Sequence, residues 1–202
     1  MQDNYYAANI HEFLAGDITT QEILRRYVDS FDCSQQNLSV HRFLKSSSID
    51  FAKKGQAVTY LVFSSDIVSQ LVGYFTITIK PITVPKSNIN SKISRKLERV
   101  CHLNEASSTY HFSAYLIAQI GKNYSLDVTT RISGSELLQI AENKISEIKL
   151  LVGGVALFLE SENVDMLKNF YESMDYRLFS TRIADKKSDD MTKEYLQYIK
   201  II

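Results

Sequence analysis

The chain has 202 residues, 45% of them apolar and 23% charged, with 23 Lys and Arg balancing 23 Asp and Glu for a formal net charge of zero at pH 7. This length suits one domain, or one domain with an appendage; the apolar share excludes a disordered chain, and the charge balance excludes a global field drawing the protein onto nucleic acid or anionic lipid. Seven Gly and two Pro are too few for an all-β fold of tight turns, so long helices and strands are predicted.

Cys33 and Cys101 lack C-x-x-C spacing and are too few for a disulfide framework, which points to a reducing compartment. Residues Met1 to Glu12 carry no basic segment followed by an apolar one, and no later stretch has the length of a membrane span. A cytoplasmic protein without membrane association is the expectation. Four scattered His and the lack of H-E-x-x-H speak against a metal site, and the lack of G-x-x-x-x-G-K-[ST] and G-x-S-x-G speaks against nucleotide and serine hydrolysis.

In chain order, Asp17 to Glu22 places capping residues ahead of Ile23, Leu24, Tyr27 and Val28 at helical spacing, predicting a first helix. Leu38, Phe43, Leu44, Ile49 and Phe51 form an apolar stripe that predicts a second helix over 38 to 52. The β-branched and aromatic runs Ala57 to Phe63 and Leu71 to Ile79 read as adjacent antiparallel strands. Pro81 and Pro85 then bound a polar connection to about Ser94, predicted as a flexible loop. Lys86, Lys92, Arg95, Lys96 and Arg99 stand against Glu98 alone, either as a local basic patch or as an ordinary solvated face.

His111 to Ile120 reads as the central strand. Ser133 to Glu136 opens a helix in which Leu137, Leu138, Ile140, Ala141, Ile145 and Ile148 recur at helical spacing, and a strand leading into a helix N-terminus makes a site for anions. Val155 to Leu159 is a short apolar strand, Asn163 to Met174 a helix, and Tyr176 to Arg182 and Tyr195 to Ile201 closing strands. The order indicates α/β with a mixed sheet flanked by helices.

Phe170, Tyr171 and the aromatic Tyr176 match the second half of N-x-x-A-x-x-F-Y-x-x-x-G-F, with Asp175 at the Gly position, while Asn163 and Met166, read as its Asn and Ala, stand one residue further upstream than that spacing. Upstream, Phe31 to Leu38, Phe43-Leu44, Thr59 to Val62 and Val72 to Phe75 form a second set in order, with Ser39 where an Asp is usual. On these residues the chain resembles the GNAT N-acetyltransferases, and in its N-terminal half the branch containing aminoacyl-tRNA-acetylating toxins. The match covers residues 31 to 182, so 31 to 202 is read as the acetyltransferase domain and 1 to 30 as a helical extension.

The resemblance implies an acyl-CoA N-acyltransferase fold, acetyl-CoA as co-substrate, no metal, and Tyr171 as the general acid that protonates the departing thiolate. By the same resemblance Ile120, Gly121 and Lys122 pair with the pantetheine arm, and Asn163 belongs to the cofactor site. The family's pyrophosphate loop, Q/R-x-x-G-x-G/A, is matched in two registers. One starts at Arg131 and ends at Glu136; the other ends at Gly134, with Ile132 and Thr129 at the earlier positions. In both, the backbone of Ser133, Gly134 and Ser135 is expected to receive phosphate. Glu105, Glu160 and His111 are general-base candidates by type alone, and each is more often an ordinary residue. The acceptor is an amine on a small molecule, a protein or an aminoacyl-tRNA, and a homodimer is implied by the resemblance. The alternative is a non-catalytic binding module with an eroded cofactor loop.

Overall fold

The computed structural model describes residues 4–183 and 193–202. Its strands are β1 (Tyr5–Asn9), β2 (Val58–Ser64), β3 (Leu71–Pro85), β4 (Leu103–Asn104), β5 (Thr109–Lys122), β6 (Ala156–Glu162), β7 (Arg177–Ile183) and β8 (Glu194–Ile201). They form one eight-stranded sheet in the order β1-β2-β3-β5-β6-β8-β7, with β4 paired to β5. β5 lies mid-row as predicted, and its pairing with β6 is parallel while β6 with β8 is antiparallel, making the sheet mixed. The helices are α1 (Ile10–Leu14), α2 (Ile18–Ser30), α3 (Leu38–Ser46), α4 (Ser48–Lys53), α5 (Ser91–Leu97), α6 (Gly134–Val152) and α7 (Asp165–Ser173). The chain divides into two compact units, Met1–Thr78 with Ala118–Ile145 and Ile79–Ile117 with Ser146–Ile202.

In the first unit β1 pairs antiparallel with β2 from Tyr5↔Ser64 to Asn9↔Tyr60. Asn9 then caps α1 in a reciprocal pair with Glu12, and Asp17 caps α2 through the Thr20 amide at 2.9 Å. Ile10, Leu24 and Val28 pack with Phe31, Leu44, Leu61, Phe63 and Tyr74 in one apolar cluster. Residues before Phe31 therefore supply both an edge strand and part of this core.

The single helix expected over 38 to 52 is two, α3 and α4, divided at Ser47. The Ser48 hydroxyl is buried and donates to the Leu44 carbonyl at 2.6 Å, a back-bond that competes with the helical ladder in a run of three serines.

The second unit overturns the flexible loop expected from Pro81 to Ser94. β3 continues through Pro81 to Pro85, residues 86–88 form a 3-10 turn, and Ser91–Leu97 is α5. The register with β2 ends at Val58↔Ile77, so the two prolines sit beyond it, where a missing N–H removes no bond to β2. Ile93 and Leu97 of α5 bury against Val84, Tyr110 and Phe179, while Lys92, Arg95 and Arg99 face outward. Glu98 is not spent on that basic face, because its carboxylate accepts from Tyr110 at 2.8 Å and from Ser94 at 3.2 Å.

The end of α7 explains part of the sequence motif. The Tyr176 amide donates to the Tyr171 carbonyl at 3.0 Å and the Asp175 amide to the Glu172 carbonyl at 3.2 Å, the paired bonds of a Schellman C-cap. This turn needs a left-handed residue, and Asp175 supplies it at φ 65°. The ring of the following Tyr176 packs back on Tyr171, with centroids 5.8 Å apart. The glycine of the motif is thus a backbone requirement, which Asp meets at a cost. Asp175→Gly is expected to raise stability by about 1 kcal/mol, read as an upward shift of about 2–4 °C in the melting temperature.

Candidate active site

The residues predicted to hold acetyl-CoA lie in the first unit, Asn163 excepted. Ile120, Gly121 and Lys122 close β5, and all three are partly exposed. Gly121 has a packing reason independent of any ligand. A Cβ there would stand 2.6 Å from Val40 Cγ1 and within 3.5 Å of Tyr74 and Phe31, whose rings fill the same corner. The Lys122 ammonium lies 5.3 Å from the Tyr124 ring centroid.

From β5 the chain crosses to α6 through a loop held by side chains that the sequence did not single out. Asn123, 2% exposed, donates to the Leu71 carbonyl at 2.8 Å and accepts the Asp32 and Ser125 amides, each at 3.0 Å. Arg131 folds back on the same turn, donating to the carbonyls of Asn123 at 2.8 Å and Ser125 at 3.0 Å. Gln70 accepts the amides of Thr129 and Thr130 at 3.1 and 3.2 Å. Ile132, at the first Gly position of one register, is instead a core residue at 3% exposure.

α6 begins at Gly134 and caps itself. The Ser133 hydroxyl accepts the Glu136 amide at 3.1 Å, and the Glu136 carboxylate accepts the Ser133 amide at 2.8 Å. The Ser133 bonds hold the Glu136 carboxyl below the usual carboxylate range. The Ser133 N–H, expected to be a phosphate donor, is therefore engaged by a carboxylate in this structure. Gly134 and Ser135 occupy the first helical turn, whose N–H groups have no intrahelical acceptor.

The first unit also holds a cluster of Asp32, Cys33 and His41, with His41 Nδ1 at 3.3 Å from Asp32 Oδ1 and at 3.4 Å from the Cys33 amide nitrogen. Burial pushes the Cys33 thiol up to about 11, with the Asp32 charge adding to the shift. A thiol so protonated is no nucleophile at neutral pH.

Tyr171 lies in the second unit on α7, 7% exposed, among the rings of Phe170, Tyr176 and Tyr198 at centroid distances of 5.1, 5.8 and 5.4 Å. Burial, with a smaller contribution from Tyr198, pushes its phenol up to about 12. Such a phenol keeps its proton at physiological pH. Asn163, expected to begin this helix, lies ahead of it and donates to Glu194 at 2.8 Å; the helix starts after Val164 with no side-chain cap.

The general-base candidates are occupied or exposed. Glu160 accepts from Arg182 Nη2 at 2.6 Å and Gln197 at 2.7 Å, and although burial pushes its carboxyl up, these bonds and the Arg182 charge hold it below the usual range. Both ring nitrogens of His111 lie 2.9 Å from threonine hydroxyls, those of Thr83 and Thr109. Glu105 is exposed in a turn. Among the described residues no group of three or more His, Cys, Asp or Glu is placed to hold a metal ion, and no helix is long and apolar enough to cross a membrane.

No protein-family model matches the chain, and no curated protein matches its sequence. Solved structures do match in shape. The AtaT toxin complexed with acetyl-methionyl-tRNAfMet superposes with a TM-score of 0.60 at 14% identity, covering 95% of this chain and 93% of that one. A mutant of KacT gives 0.58 at 16% identity over 96% and 95%. A mutant AtaT bound to the C-terminus of the antitoxin AtaR and acetyl-CoA gives 0.56 at 16% identity over 98% and 94%. This chain has the GNAT fold. Within that fold α7 is the helix carrying the F-Y motif, and β5 is the strand entering the loop before α6. The likeness extends over the first thirty residues, which the sequence match had left out.

Proposed function

We propose that the protein is an acetyl-CoA-dependent N-acetyltransferase in which a neutral primary amine attacks the thioester directly and Tyr171 protonates the leaving sulfur. The observation that carries this reading is a buried, protonated phenol, held at the C-terminal turn of α7 in a chain with the GNAT fold. In balanced form, the amine nitrogen bonds to the acetyl carbon and the carbon–sulfur pair leaves on sulfur. The Tyr171 proton passes to that sulfur, and the phenolate regains a proton released from the new amide nitrogen through solvent.

Acetyl-CoA supplies the activated acetyl group. The first-turn amides of Gly134 and Ser135 are the donors proposed for its pyrophosphate, and the backbone of Ile120 to Lys122 for its pantetheine arm. For Ser133 to join them, Glu136 must release its amide. Asn163, bonded to Glu194, is proposed for the cofactor only if that bond opens.

For the acceptor we favour an aminoacyl-tRNA. The outward face of α5 carries Lys92, Arg95 and Lys96, Arg99 follows in the turn after the helix, and among the described residues no ion pair engages these four. One similar structure, that of AtaT, is a complex with an acetylated aminoacyl-tRNA. The test offers labelled acetyl-CoA with a pool of charged tRNA, a polyamine panel and whole-cell protein. Label is expected on the charged tRNA, and reversing the charges of Lys92, Arg95, Lys96 and Arg99 is expected to raise its KM while leaving acetyl-CoA binding alone.

The second reading, a binding module without catalysis, is favoured by the capture of the Ser133 amide by Glu136. Ligand binding separates the two. If the protein binds acetyl-CoA, a concentration 100 times Kd stabilises it by about 2.7 kcal/mol, a rise of about 5–10 °C in melting temperature. A flat response at millimolar acetyl-CoA, with no label on any amine, leaves the module.

A further inference from the structure

Tyr198, on β8, is fully buried, and among the described residues its hydroxyl has no hydrogen-bond partner. It sits opposite Leu159 on β6 and Leu178 on β7, in surroundings where phenylalanine would fill the same space without burying an unpaired hydroxyl. Ser161, its polar neighbour, sends its own hydroxyl to the Glu162 carbonyl at 3.2 Å. The Tyr198 ring lies 5.4 Å from that of Tyr171, tilted by 38°. An unpaired polar atom in a packed core is a standing cost, and here it stands beside the one phenol assigned to the chemistry.

We propose that Tyr198 is a positioning residue for acyl transfer, its hydroxyl donating a hydrogen bond to the Tyr171 oxygen as that oxygen loses its proton to the leaving sulfur. The inference rests on the reading of Tyr171 as general acid. In the resting protein Tyr171 is a neutral phenol and accepts weakly. As its proton moves to sulfur it becomes a buried phenolate, which needs a donor. Burial and the nearby Glu172 raise the Tyr198 phenol above its ordinary value by more than the neighbouring Ser161 hydroxyl lowers it, so it still has its proton to share. The transferred proton comes from Tyr171 alone; Tyr198 lends a hydrogen bond and keeps its own proton throughout.

The test uses Tyr198→Phe in the full chain, assayed by thiol release from acetyl-CoA with whichever amine of the panel above the wild-type protein acetylates, or water if none is found. The expected kcat is lower by about 10- to 100-fold, the size of one hydrogen bond to a charged group, with KM for acetyl-CoA unchanged. The melting temperature is expected at or above that of the wild type, because the variant buries no orphan hydroxyl. In a Tyr171→Phe background the same change is expected to have no further effect on kcat, since it acts through the missing phenol.

A wild-type kcat in Tyr198→Phe overturns the proposal, as does a loss that comes with a lower melting temperature or persists undiminished in the double variant. If Tyr171→Phe itself turns over normally, or the wild type releases no thiol, the acetyltransferase mechanism falls and this inference with it. If Tyr171→Phe is slow and Tyr198→Phe is not, only the present inference falls.

Discussion

Tyr171→Phe is expected to lower kcat by about 100- to 10,000-fold, the range lost when a positioned general acid is removed, with little change in KM for acetyl-CoA or in melting temperature. The phenylalanine ring keeps the packing on Phe170, Tyr176 and Tyr198, so only the proton donor is lost. The pH dependence gives a second check. A folded-state value raised to about 12 leaves Tyr171 protonated from neutral pH well into the alkaline range. The wild-type kcat profile is therefore expected to show no fall from this group below that value, and any rise at lower pH reports the amine losing its proton. Unchanged turnover in the variant, measured on an identified acceptor, removes Tyr171 from the mechanism.

Asn123→Ala is expected to be the most damaging single change to stability outside the apolar clusters. It strips the buried Leu71 carbonyl of its donor and the Asp32 and Ser125 amides of their acceptor. Each buried group left unpaired costs about 1–3 kcal/mol, and a loss of about 3 kcal/mol lowers the melting temperature of a chain this long by about 6–12 °C. Because the Asn123 carbonyl also receives Arg131, the path from β5 to the first turn of α6 is expected to loosen too, seen as faster amide exchange over residues 124–133. A melting temperature within a degree of the wild type, with unchanged exchange there, contradicts the role assigned to this side chain. Asn123→Asp keeps the acceptor and loses the donor, so its melting temperature is expected to fall between the two.

Much of the element order was legible because it depends on local periodicity. The apolar spacing of Leu137, Leu138, Ala141 and Ile145 marks the buried face of α6, and the Ser133 to Glu136 cap marks its start. The Asn163 to Tyr176 motif also carried the position of α7, with the start displaced to Asp165. What failed were places where local chemistry competes with periodicity. Ser48 breaks a stripe that a helical wheel reads as continuous, and two prolines past the end of the β2 register look like a loop until the strand is seen to run through them. β1 was missed because Tyr5 to Asn9 is short and only half buried, so its strand character comes from pairing with β2 and not from its own pattern.

The candidate site was legible in residue type and illegible in partnership. Tyr171 was named from a motif, but its burial among three rings, its raised phenol and the unpaired Tyr198 hydroxyl depend on β8 and α7 meeting. Gly121 was named as a ligand contact, and the fold gives it a steric reason in Val40, Tyr74 and Phe31. Asn123 and Gln70 carry no sequence signal, since a lone amide side chain gives no hint of which distant backbone it will satisfy.

By itself, the sequence determined the α/β class, the central place of β5, the capped start of α6 and the helix bearing Tyr171, because periodicity and capping act over a few neighbouring residues. Only the tertiary structure decided which groups are already engaged: the Ser133 amide by Glu136, Glu160 by Arg182 and Gln197, Asn163 by Glu194. Two of those three pairings join strands or loops far apart in the chain, and a hydrogen bond between distant groups exists only once backbone packing has brought them within about 3 Å.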